Sequence, residues 1–131
     1  MAAAAKVLFK GRNKLIVNVT GVYSAADETD TVVIDKSTLA GPGPNSAEPS
    51  KIRIDEVTWA IGAGFDYVLL EWDFCTDQVI DYFQGQGYMD YRPYGGKNPT
   101  ASTATGDVVL TTSGGAAGDS YSFLIACTLK A

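Results

Sequence analysis

Hydrophobic and polar residues alternate along most of the chain. Over residues 14–20, Leu15, Val17 and Val19 point one way and Lys14, Asn18 and Thr20 the other, with Ile16 the one apolar residue on the polar side. Alternation with period two predicts a half-buried strand, and Val7-Leu8-Phe9 just upstream suggests a first short one. Residues 31–35 predict a further strand. In 51–61, Ile52 and Ile54 are in phase, but the phase slips at Asp55-Glu56 so that Val57, Trp59 and Ile61 become the apolar set. A slip of one residue is what a β-bulge produces. After Gly62-Ala63-Gly64, residues Val68, Leu70, Trp72 and Phe74 alternate with Tyr67, Leu69, Glu71 and Asp73. Residues 51–61 and 65–74 are therefore expected to form a central hairpin, with Trp59 and Trp72 as its largest buried rings.

Residues 79–83 are β-prone, although 76–83 also fits one or two helical turns. Residues 107–112 and 120–130 predict a closing hairpin across 113–118, with Tyr121, Phe123, Ile125, Cys127 and Leu129 on one face. The expected fold is all-β: a single antiparallel β-sandwich of seven to eight strands, with jelly-roll-like or Ig-like connectivity. At 131 residues the chain suits one domain. Residues 1–6 are expected to be a flexible N-terminal arm and 7–131 the sandwich.

Two segments interrupt the pattern. Residues 37–50 hold Pro42, Pro44 and Pro49 with Gly41 and Gly43. Three prolines exclude a central strand, and a loop this long in a small domain is usually functional or packed on itself. Pro42 and Pro44 are accordingly candidate contacts for a partner. The second segment, residues 82–94, gathers Tyr82, Phe83, Tyr88, Tyr91 and Tyr94 with Arg92, Gln84 and Gln86. Tyrosine and arginine are enriched at interfaces because they bury large area and keep a polar tip. Tyr82, Phe83, Tyr88, Tyr91, Arg92 and Tyr94 are thus candidate interaction residues, unless some of these rings cap the core instead.

Composition narrows the chemistry. The chain has no histidine, which removes Ser-His and Cys-His pairs and imidazole metal ligands. Glu71 and Asp73 lie two residues apart on one strand, about 7 Å by strand rise, in the range of a glycosidase pair. A solvated strand face explains them as well. Asp27, Glu28 and Asp30 lack EF-hand spacing and read as an acidic turn. Gly85-Gln86-Gly87 lacks the helix and lysine of a phosphate loop, and the sequon Asn18-Val19-Thr20 falls inside a strand. No catalytic residue, cofactor or metal is expected. Cys75 and Cys127 are expected to be reduced core thiols, with a bridge open if their strands are neighbours. A formal charge of −5 argues against nucleic acid and anionic membranes as partners. No apolar run approaches about 18 residues, the length a spanning helix needs, and the start lacks the regions of a secretory signal.

Together, the Ala-rich start leading to Lys6-Val7-Leu8-Phe9-Lys10, the strand Ile54-Asp55-Glu56-Val57-Thr58-Trp59 followed by Gly62-Ala63-Gly64, the Ser/Thr/Gly-rich turns and the closing strand 121–130 resemble the small all-β virion proteins of tailed bacteriophages. Capsid decoration, or cement, proteins are the nearest type. The resemblance implies a sandwich without enzymatic activity, made in the host cytoplasm and bound in many copies to the capsid exterior. Its partner would be the major capsid protein of a phage head, and it would self-associate, for instance as a trimer. It carries no site residues across. Neck or tail placement is the variant of this reading. A carbohydrate-binding module is the alternative, with Tyr88, Tyr91 and Tyr94 as a stacking platform and Gln84, Gln86 and Asp90 as hydrogen-bonding partners.

Overall fold

Nine strands form two antiparallel sheets in the computed structural model, which describes residues 3–23, 27–41, 43–73, 77–99 and 106–130. One sheet runs β1 (Ala4–Lys10), β2 (Lys14–Val22), β9 (Ser120–Lys130), β4 (Lys51–Ile61), β7 (Gln86–Asp90). The other runs β3 (Thr31–Ile34), β8 (Val108–Ser113), β5 (Tyr67–Trp72), β6 (Gln78–Phe83). With β1 set aside, pairing goes from the ends inward: β2 with β9, β3 with β8, β4 with β7, β5 with β6. One buried cluster draws side chains from both sheets, an arrangement consistent with a β-sandwich. No helix among the described residues is long and apolar enough to cross a membrane.

The alternation holds where it is strongest. Leu15, Val17 and Val19 are buried on β2, and all five in-phase residues of β9 are buried opposite them and β4. The phase slip in β4 is a bulge: Ile54 pairs with Cys127 and Glu56 with Ala126, leaving Asp55 between them. Cys127 is free and buried, and burial pushes its thiol pKa up, so it behaves as a small hydrophobe. Cys75 lies outside the described residues.

Three expectations change. Nine strands lie among the described residues where seven to eight were expected, the Gly- and Tyr-rich residues 86–90 pairing with β4 as β7. Ala4, Ala5 and Lys6 are not an arm but the first half of β1, opposite Thr20, Val19 and Asn18. Neither expected hairpin forms: β4 and β5 lie in different sheets, as do β8 and β9. Connections of residues 62–66 and 114–119 bridge the roughly 10 Å between sheets as readily as they reverse a ribbon.

Trp72 is fully buried, whereas Trp59 is half-buried and its Nε1 donates to the Gln84 carbonyl at 2.9 Å. Gly87 lies beneath that indole; a Cβ there would meet Trp59 Cζ2 at 2.7 Å. Gly85 turns the chain between β6 and β7 with φ of +60°. The glycine pair therefore serves packing and turning.

Tyr121 is a core ring set edge-on to Phe65 and Phe123, and its buried hydroxyl has no hydrogen-bond partner among the described residues. An unpaired buried hydroxyl costs desolvation without return. Tyr121→Phe is expected to leave stability unchanged or raise it by about 1 kcal/mol in urea denaturation. A clear loss of stability would show that the hydroxyl is satisfied.

Candidate functional site

The aromatic segment is divided by the fold. Tyr82 stands exposed on the four-stranded sheet, edge-on to Tyr67 with centroids 5.2 Å apart. The next residue, Phe83, points inward and is 1% exposed, against Trp59 and Phe123. Tyr88 lies on the five-stranded sheet opposite Thr58, and its hydroxyl donates to Glu56 Oε2 at 2.9 Å. Tyr91 turns back into the core, only 4% exposed, and donates to Asp81 Oδ2 at 2.8 Å. Burial first, then the Asp81 carboxylate, push its phenol pKa up. In the 3-10 turn Arg92–Tyr94 the Tyr94 ring is 78% exposed.

Arg92 grips Asp90 through Nε and Nη2, both at 2.9 Å, and reaches Glu56 at 3.0 Å. This fork lowers the Asp90 pKa and joins Arg92, Asp90, Glu56 and Tyr88 in one exposed network. Tyr88, Arg92, Tyr94 and Tyr82 remain surface candidates. Phe83 and Tyr91 do not: alternation carries Phe83 inward, and the chain reversal after β7 carries Tyr91 over the core edge. The three-ring carbohydrate platform therefore loses its middle ring. Gln84 is also engaged, donating to the Asp66 carbonyl at 2.7 Å, while Gln86 is exposed.

The proline loop is packed on itself. Gly41 N donates to the Ala47 carbonyl, and Lys36 Nζ reaches both Glu48 and the Pro49 carbonyl. Pro44 is exposed at the head of a 3-10 turn; Pro42 lies outside the described residues.

No protein-family model, curated protein or solved structure matches this chain. Its surfaces must therefore be read from their own chemistry.

The acidic turn does not converge on one point. Asp27 accepts from Thr112 Oγ1 and from the backbone N–H groups of Gly114 and Gly115, and Glu28 accepts from Thr31. Asp30 instead meets Glu71 and Asp77, one carboxylate oxygen of each lying within 4.8 Å of the others. Asp73 lies past the end of β5, its N–H on the Asp107 carbonyl, so the sequence pair Glu71–Asp73 is replaced by a different grouping. A hydrogen bond that the protonated Asp30 carboxyl donates to Asp77, then burial and the Asp77 charge, raise the Asp30 pKa. Burial, then the charges of Asp77 and Asp30, raise that of Glu71.

A raised folded-state pKa gives stability that is present below the unfolded value and lost as pH rises through the folded one. Asp30→Asn, at a residue with φ of +48° that asparagine tolerates, is expected to raise Tm at neutral pH more than at about pH 4. Scanning fluorimetry across that range checks it; an equal shift at both ends would discount the repulsion.

A surface the alternation did not point to lies at the β1 end. All seven β1 residues are exposed, with Val7, Leu8 and Phe9 each at least half exposed. Between β1 and β3 opens an apolar cleft of about 210 Å³, lined by Ala5, Val7, Leu15, Val17, Val33 and Leu39 among others. Three consecutive apolar residues without a polar partner, Val7-Leu8-Phe9, are the signal for it in the sequence.

Proposed function

We propose that the protein is a non-enzymatic structural component of a virion, a decoration protein on a jelly-roll sandwich that binds a bacteriophage head in many copies. The observation that carries the reading is the strand order. Eight strands that pair first with last and inward to a central hairpin describe a long ribbon rolled into two sheets. Double-sheet jelly rolls of this kind are common in viral capsid and lectin domains.

The contact chemistry supports the same reading. Tyr88, Arg92 and Tyr94 are exposed aromatic and guanidinium groups on or beside β7, the residue types that anchor protein interfaces. Their partner in this reading is the major capsid protein, and a shell of repeated sites multiplies a modest affinity into avidity.

Quantitative mass spectrometry of purified particles from the source tests the role. A copy number comparable to the major capsid protein is expected. A few copies would place the chain at neck or tail, and complete absence from particles would overturn the virion reading. Saturable, sugar-competed signal on a glycan array would instead favour the carbohydrate-binding alternative, carried by Tyr88 and Tyr94 alone.

A further inference from the structure

We propose that two copies of the chain associate about a two-fold axis, β1 of each adding to the open edge of β3 of the other. This goes beyond the virion reading and does not rest on it.

β1 and β3 end their respective sheets on the same side of the molecule, where both line the apolar cleft. Among the described residues each pairs on one side only, β1 with β2 and β3 with β8, so both present an unpaired backbone edge there. Exposed apolar residues sit on both: Val7, Leu8 and Phe9 on β1, and Val32, half exposed, on β3. A long, apolar, open edge is a template for another strand, and monomeric proteins normally blunt it. Among the described residues, two lysines and the register slip at Leu8 are what blunt the β1 edge.

Charge selects the occupant. β1 carries Lys6 and Lys10 and no acid, in a chain of net charge −5. β3 is flanked by Asp30 and Asp35. Pairing β1 with β1 would bring four lysines together, and pairing β3 with β3 would bring four carboxylates together. Crossing the pairs sets lysine strand against carboxylate strand twice.

An isologous interface requires a patch that complements itself under a half-turn, and a basic strand beside an acidic one is such a patch. The same half-turn stacks the two apolar clefts against each other. The eleven strand residues offered by each copy fall below the twenty to thirty of a standard interface. The dimer is accordingly weak, with a dissociation constant on the order of micromolar. A two-fold pair differs from the trimer that the resemblance offered as one form of self-association.

Sedimentation equilibrium on the purified full chain, from about 1 to about 200 µM, reads the result directly. The expected outcome is a reversible shift from the 13.8 kDa monomer to twice that mass. The paired change Lys6→Glu and Lys10→Glu is expected to weaken dimerisation at least about tenfold, as is Asp30→Lys; all three together should restore it. A cooperative thermal transition in each variant, unshifted for the lysine changes and not lowered where Asp30 leaves its acidic cluster, shows that folding is intact. A chain monomeric throughout, an assembly other than a dimer, a dimer indifferent to either change, or loss without restoration in the triple variant would each overturn the proposal.

Discussion

Replacing Asp55 with alanine is expected to destabilise the fold by about 3 kcal/mol and lower Tm by about 10 °C. The β-bulge turns this carboxylate onto the sheet under a cover of side chains, leaving the residue 2% exposed. Thr128 donates to Oδ2 at 2.5 Å, Arg53 Nε to Oδ1 at 2.7 Å and Lys14 Nζ to Oδ2 at 3.2 Å. Alanine would take from a threonine hydroxyl and two cations the anion they share, leaving the cations, among the described residues, only the Thr128 oxygen. Because Arg53 and Lys14 are partly exposed and can rehydrate, the expected loss sits at the low end for a broken buried pair.

The same knot sets an acid limit. Burial, the largest single influence, pushes the Asp55 pKa up, but the bonds from Thr128, Arg53 and Lys14 together hold it below the usual carboxylate value. A depressed folded-state pKa gives stability present above the unfolded value of about 4 and lost as pH falls through the lower folded one. Thermal melts followed by circular dichroism down to about pH 3 should show the wild-type advantage over Asp55→Ala shrinking with acid. A loss under about 1 kcal/mol at neutral pH would show that the knot is solvated rather than structural.

Tyr91→Ala is expected to cost about 3 to 4 kcal/mol, as for other large buried rings, and to reduce binding only through misfolding. Its ring is 4% exposed, Lys97 Nζ sits 5.3 Å from its centroid, and its hydroxyl is held by Asp81. Tyr94→Ala, three residues on, removes a ring that is 78% exposed and should shift stability by no more than about 0.5 kcal/mol. Urea denaturation separates the two: a large fall in midpoint at unchanged slope for the first, near identity with wild type for the second. Equal, small effects would return Tyr91 to the surface as an interaction residue.

These two tyrosines show why the candidate site was only half legible. Composition singles out residues 82–94 but does not say which rings face water, because the segment leaves one sheet, forms an edge strand of the other and ends in a 3-10 turn. Period-two alternation does carry Phe83 inward from Tyr82. It says nothing of Tyr91, which follows the last residue of β7. The acidic grouping was hidden for a related reason: Asp30, Glu71 and Asp77 precede or occupy three different strands and meet only when β3, β8, β5 and β6 lie side by side.

The chain by itself determined what depends on neighbours within a strand. Alternation in β2, β4 and β9 dictated which faces are buried, and the one-residue slip at Asp55 dictated the bulge, because side chains alternate strictly along an extended backbone. Only the tertiary structure decided what depends on strands far apart in sequence. That β4 and β5 part into different sheets, that β1 is left as an exposed edge, and that Asp55 meets Lys14 and Thr128 all follow from pairing order. Short connections permit either a hairpin or a crossing, so the local pattern carries no record of which was taken. That choice is made by the burial of both apolar faces at once.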